Sequence, residues 1–129
     1  MATRRQLVHS RRRRRRVRAA PNDLTTAQWE YLLRTWGGCA YCGATASDLQ
    51  KDCVQPISRG GAYTLDNVVP ACRSCNASKC NAEVTGWLRR RRYDERAFLE
   101  RWVAIRLELD ELGMASLVGE PAEVQPDLT

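Results

Sequence analysis

A chain of 129 residues, 43% apolar and 28% charged, is long enough for about one domain with a modest core and too apolar to be disordered throughout. No run of about 18 apolar residues exists and no apolar stretch follows the N-terminal arginines, which excludes a membrane-spanning helix and argues against a secretory signal. The net charge of +6 conceals a gradient: residues 1–18 hold nine arginines and no acid, residues 19–93 are at +3, and residues 94–129 are at −6.

Residues 1–22 are expected to form a disordered, Arg-rich arm. Arg11, Arg12, Arg13, Arg14, Arg15 and Arg16 repel one another and bury nothing, so order would come only from a polyanion. On nucleic acid they would act as a phosphate clamp that releases counterions and reads no sequence. The alternative is a targeting segment, although six contiguous arginines leave no apolar face for an amphipathic presequence.

Residues 23–113 are expected to fold. Thr25 and Gln28 make a capping-box pattern, with Leu24 and Trp29 in staple position around it. Trp29, Leu32, Leu33 and Trp36 then recur at helical spacing until Gly37 stops the helix. At that spacing the tryptophans read as core, with base stacking the weaker alternative. Cys39 and Cys42 follow as a Cys-x-x-Cys pair. An apolar run through Leu49, Cys53, Val54 and Ile57 suits a short strand carrying Asp52. Gly60 and Gly61 supply a reversal, Asn67–Val69 reads as the returning strand, and Pro70 is expected to end it.

A second pair, Cys72 and Cys75, opens a helix that bears Asn76, Lys79 and Cys80. The 29 residues between the two pairs exceed the usual finger spacing, but an intervening hairpin brings the pairs back together. Four thiolates suit a closed, structural zinc site at Cys39, Cys42, Cys72 and Cys75. A disulfide framework is the alternative, disfavoured without a secretory signal. The expected location is therefore cytoplasmic: intracellular and reducing.

Beyond Cys80 the helix is expected to continue, with Val84, Trp87 and Leu88 on one side and Arg89–Arg92 at its end, either a solvated face or a DNA contact. Asp94 reads as the N-cap of another helix, striped by Phe98, Trp102, Ile105, Leu109 and Leu112 and closed by Gly113. Residues 114–129, with Pro121 and Pro126, are expected to be a disordered acidic tail.

The order strand, turn, strand, helix, with one Cys-x-x-Cys pair ahead of the first strand and the other opening the helix, resembles the ββα-metal core of HNH-family endonucleases, over roughly residues 37–81. The resemblance implies an α+β fold: a small ββα-metal core with a four-cysteine zinc knuckle, flanked by helices on both sides. It implies hydrolysis of DNA phosphodiester bonds with a divalent cation, Mg²⁺, Mn²⁺ or Zn²⁺, held by Asp52 and Asn76. Asn67 would brace the hairpin, and Arg59 and Lys79 would join the arm on DNA. No membrane and no small-molecule substrate is implied.

One position departs from the family pattern. The family's general-base histidine is replaced by Cys53, and the chain's single histidine is His9, in the arm. Cys80 stands four residues past Asn76, where the nuclease domains of DNase colicins carry a second metal-binding histidine and where this branch would have glycine. Three readings stay open: a Cys53 thiolate base, a soft metal bound by Cys53 and Cys80, or neutral thiols in an inactive site. The alternative function is accordingly a non-catalytic, zinc-containing DNA-binding module that has lost the histidine.

Overall fold

A computed structural model describes residues 22–116 and 121–123. Among these residues four helices surround a two-stranded antiparallel sheet: α1 (Thr26–Trp36), β1 (Gln50–Cys53), β2 (Val68–Ala71), α2 (Arg73–Lys79), α3 (Val84–Arg90) and α4 (Glu95–Glu111), with single 3-10 turns at Ile57–Arg59 and Met114–Ser116. The fold is α+β with a small ββα core. Among the described residues no helix is long and apolar enough to cross a membrane.

The capping box of α1 forms on both sides: the Thr25 hydroxyl accepts from Gln28 N and Gln28 Oε1 accepts from Thr25 N. Leu24, Trp29, Leu32 and Trp36 are buried, so the tryptophans serve the core. β1 and β2 pair Gln50 with Ala71, Lys51 with Pro70, Asp52 with Val69 and Cys53 with Val68. Pro70 therefore lies inside the returning strand rather than ending it. In a two-stranded sheet each strand has an open edge, so a proline can face that edge without removing a ladder bond. Its carbonyl accepts from Ala40 N at 2.8 Å and ties the first Cys-x-x-Cys loop to the sheet.

The glycine pair in the hairpin works by two different means. Gly60 has φ of 90°, which a side chain resists, whereas Gly61 is pressed against the chain: a Cβ there would sit 1.8 Å from Gln55 O.

Three further expectations change. The helix does not run on past Cys80; it stops there, and α3 starts afresh with Glu83 as N-cap, its carboxylate accepting from Thr85 N and Gly86 N. On α4, Phe98, Ile105 and Leu109 are buried but Leu112 is 57% exposed, because the helix ends before that turn reaches the core. The segment from 114 is in part docked: Gln28 Nε2 donates to Met114 O, Ala122 N donates to Leu24 O, and Tyr63 Oη donates to Glu123 O. Buried Ala122 and these backbone acceptors hold it against α1 and the hairpin loop. The arginine arm, residues 117–120 and residues 124–129 lie outside the described residues.

Candidate functional site

Both Cys-x-x-Cys loops end at the same point. The first is folded back by Gly43 N donating to Cys39 O and Cys39 N donating to Ala44 O. The second starts α2, with Cys72 as N-cap. All four sulfurs lie within 4.8 Å of one another, and Cys42 Sγ is 3.7 Å from Cys72 Sγ. Zinc with about 2.3 Å bonds to sulfur requires tetrahedral edges of about 3.8 Å, so the set fits a structural zinc. Burial, reinforced by Cys72 and Cys39, pushes the Cys75 thiol well up, and burial also raises Cys42. Against burial, hydrogen bonds from Cys75, Cys42 and Cys39 lower Cys72, and a dication shared among the four thiols favours their ionised form together. Among the described residues this is the one group of three or more Cys, His, Asp or Glu side chains able to hold a metal; Cys53 and Cys80 belong neither to it nor to a second.

Alternation along β1 puts Gln50 and Asp52 on one face, and α2 lies along that face. Asn76 Nδ2 donates to Gln50 Oε1 at 2.7 Å. Three residues on, the Lys79 ammonium lies 3.2 Å from Asp52 Oδ2 and donates to Cys53 O at 2.9 Å. Lys79 has 0% exposure and Asp52 only 5%. Tyr41, placed between the two cysteines of the first knuckle, donates its hydroxyl to the same Oδ2, and its ring lies 6.0 Å from the ammonium. Burial pushes the Asp52 carboxyl up, opposed by the Lys79 charge and by both hydrogen bonds. Tyr41 is held well above its ordinary range, by burial first and then by the Asp52 charge.

Lys79 is thus not on a DNA-facing surface, as the sequence suggested. It is buried as the counterion of Asp52, because a carboxylate shut away from water needs a paired cation. Asp52 nevertheless keeps one oxygen in reserve. Both bonds go to Oδ2; Oδ1 accepts none from the described residues and is not among their buried unpaired atoms, so it retains contact with solvent. Asn76 likewise spends its amide NH₂ on Gln50, while its carbonyl Oδ1 accepts no bond from the described residues.

Asn67 braces the hairpin. Its Oδ1 accepts from Gln55 N at 2.9 Å, and its Nδ2 donates to Gln55 O at 3.0 Å and to Ala62 O at 2.8 Å. Ala62 O is also the acceptor faced by the Cys53 thiol, at 3.9 Å. Cys53, Ala62 O and Asn67 therefore converge at the end of β1. Arg59 is exposed, with Nε donating to Asn81 O at 2.8 Å, a bond that ties the glycine turn to the chain leaving α2. Cys80 closes α2 with φ of 51°, which accounts for glycine as the residue expected there.

Sequence reasoning missed Tyr41 and Gln50. Tyr41 stands inside the Cys-x-x-Cys loop, but nothing in the spacing signals a hydroxyl reaching Asp52. Gln50 could have been found as the residue two before Asp52 on the same strand face.

Residues 39–82 match the family model described as HNH endonuclease. No curated protein and no solved structure matches the chain.

Proposed function

Residues 39–82 being an HNH-family domain, we propose that the protein is an HNH-type endonuclease that hydrolyses DNA phosphodiester bonds, with Asp52 and Asn76 as ligands of a divalent cation. The observation that carries this reading is the division of labour within those two side chains. Each commits one polar atom to the fold and keeps the oxygen a hard cation would take. Such a cation, Mg²⁺ or Mn²⁺ by the oxygen ligands or Zn²⁺, polarises the scissile phosphate and stabilises the leaving oxygen when bound. Lys79 holds Asp52 in place and opposes the upward push of burial on its carboxyl. Cys53 stands where the attacking water would surrender its proton, and a thiol with a reference pKa of about 8.5 accepts one poorly at neutral pH. Activity is therefore expected to be weak. The partner is DNA, engaged by exposed Arg59 and by the arginines at 11–16, whose charge favours any phosphate backbone.

The second reading, a zinc-containing DNA-binding module without catalysis, is favoured by one contact: the Cys53 thiol donates into Ala62 O instead of offering an acceptor to water. Nicking of supercoiled plasmid with Mg²⁺ or Mn²⁺ separates the two. Wild type should nick slowly, and Cys53→His, whose ring N–H could use the same Ala62 carbonyl, should nick about 10²–10⁴-fold faster. Asn76→Ala should abolish nicking, and Asp52→Ala should do so where it folds. Intact plasmid with wild type and with Cys53→His, alongside retained DNA binding, would establish the module instead.

A further inference from the structure

Helix α3 ends in an arrangement that normally calls for glycine. Tyr93 N donates to Leu88 O and Arg92 N donates to Arg89 O, each at 3.0 Å, the paired bonds of a Schellman turn. Its left-handed residue is Arg92, with φ of 58°. Glycine adopts that conformation without cost and asparagine at little cost, whereas a long side chain is strained there. Strain retained at one exposed position points to a use for the side chain.

The surroundings indicate that use. Arg89 is occupied, gripping Glu95 through Nε to Oε2 at 2.7 Å and Nη2 to Oε1 at 3.0 Å. Arg90 and Arg92 are exposed and make no ion pair or side-chain hydrogen bond to the described residues. Between them, Arg91 lies over the Tyr93 ring at 5.5 Å and donates to its hydroxyl, which in turn lies 3.8 Å from Cys75 Sγ. Trp87 Nε1 donates to Ser78 Oγ on α2, so the turn is fixed to both the zinc knuckle and the helix of the candidate site. Three adjacent guanidiniums on one turn, two of them in no ion pair with the described residues, suit a ligand with regularly spaced anionic oxygens rather than a single carboxylate.

From this we infer that the turn Arg90–Arg92 is a phosphate-contact surface for the backbone of duplex DNA, separate from the arm and held in fixed register with the hairpin site. The inference rests on the nucleic-acid reading above and not on catalysis. It is tested on the full chain by fluorescence anisotropy with a labelled mixed-sequence DNA duplex between about 50 and 200 mM salt. Arg90→Gln/Arg92→Gly should weaken binding equally for all sequences and flatten the slope of log K against log salt by about 2, near 0.9 per lost phosphate contact. Arg92→Gly alone should flatten it by about 1 while raising Tm by about 3 °C, since relief of backbone strain moves stability and affinity in opposite directions. Wild-type binding with unchanged slopes in both variants overturns the surface and leaves the DNA reading intact. Failure of wild type to bind the duplex overturns both. Variants that bind duplex normally but lose polyglutamate would reassign the turn to an acidic protein and overturn the proposal.

Discussion

At Cys80 the backbone takes φ of 51° and ψ of −126°, a region that glycine visits freely and other residues only under strain. Among the described residues the sulfur joins no group of three or more Cys, His, Asp or Glu side chains able to hold a metal. Cys80→Gly should stabilise the protein by about 1 kcal/mol, read as a higher urea midpoint at unchanged slope, with zinc content the same. A lower midpoint, or the loss of one zinc equivalent, would show that the thiol is bonded to something of value. Asp52 and Lys79 teach the opposite lesson. Their charges are buried together, so removing either alone strands the other, which is why Asn76→Ala is the safer probe of the metal reading.

Among the elements, α3 shows how a helix start is set by one side chain. Glu83 accepts from Thr85 N at 2.9 Å, Thr85 Oγ1 at 2.6 Å and Gly86 N at 2.8 Å. These bonds, the Thr85 hydroxyl foremost, lower its carboxyl from 4.5 to about 2. A carboxyl depressed in the folded state stabilises fully above its unfolded pKa, and that contribution disappears as pH falls from about 4.5 to about 2. Glu83→Gln should therefore be less stable than wild type at pH 7, and the gap between their urea midpoints should close across that acid window. A gap of constant size down to pH 2 would mean that the cap acts through geometry and not through charge. The same cap explains why the chain after α2 breaks: its carboxylate satisfies the donors of a new helix, and Cys80 turns the chain away from the old one.

For the whole molecule the zinc knuckle is the junction. It joins the loop after α1 to the start of α2 across a gap of 29 residues, and Tyr41 carries it on to Asp52. Structural zinc contributes on the order of 10 kcal/mol, comparable with the entire stability of a small domain at about 5–15 kcal/mol. Metal analysis should find one zinc per chain, and Cys75→Ser should leave the protein unfolded or insoluble. A folded Cys75→Ser variant with unchanged Tm, or two zinc equivalents in wild type, would contradict the single closed site.

What the sequence determined by itself was local or periodic. The Thr25 and Gln28 capping box, the Trp29–Trp36 stripe, the Asp94 cap and the two Cys-x-x-Cys pairs each depend on neighbours within about a turn, and the order of strands and helix between the knuckles fixes the core. The bracing role of Asn67 came from the resemblance to the HNH family and not from its spacing, and its bonds to Gln55 and Ala62 agree with it. What only the tertiary structure decided involves partners distant in the chain. Burial of Lys79 rather than exposure, the reach of Tyr41 to Asp52 and the docking of residues 121–123 against Leu24 and Thr25 depend on which faces meet after folding. Periodicity assigns a residue to a face but does not say whether a long, flexible cation ends in water or in a carboxylate, since the answer depends on a desolvation cost that only the assembled site offsets.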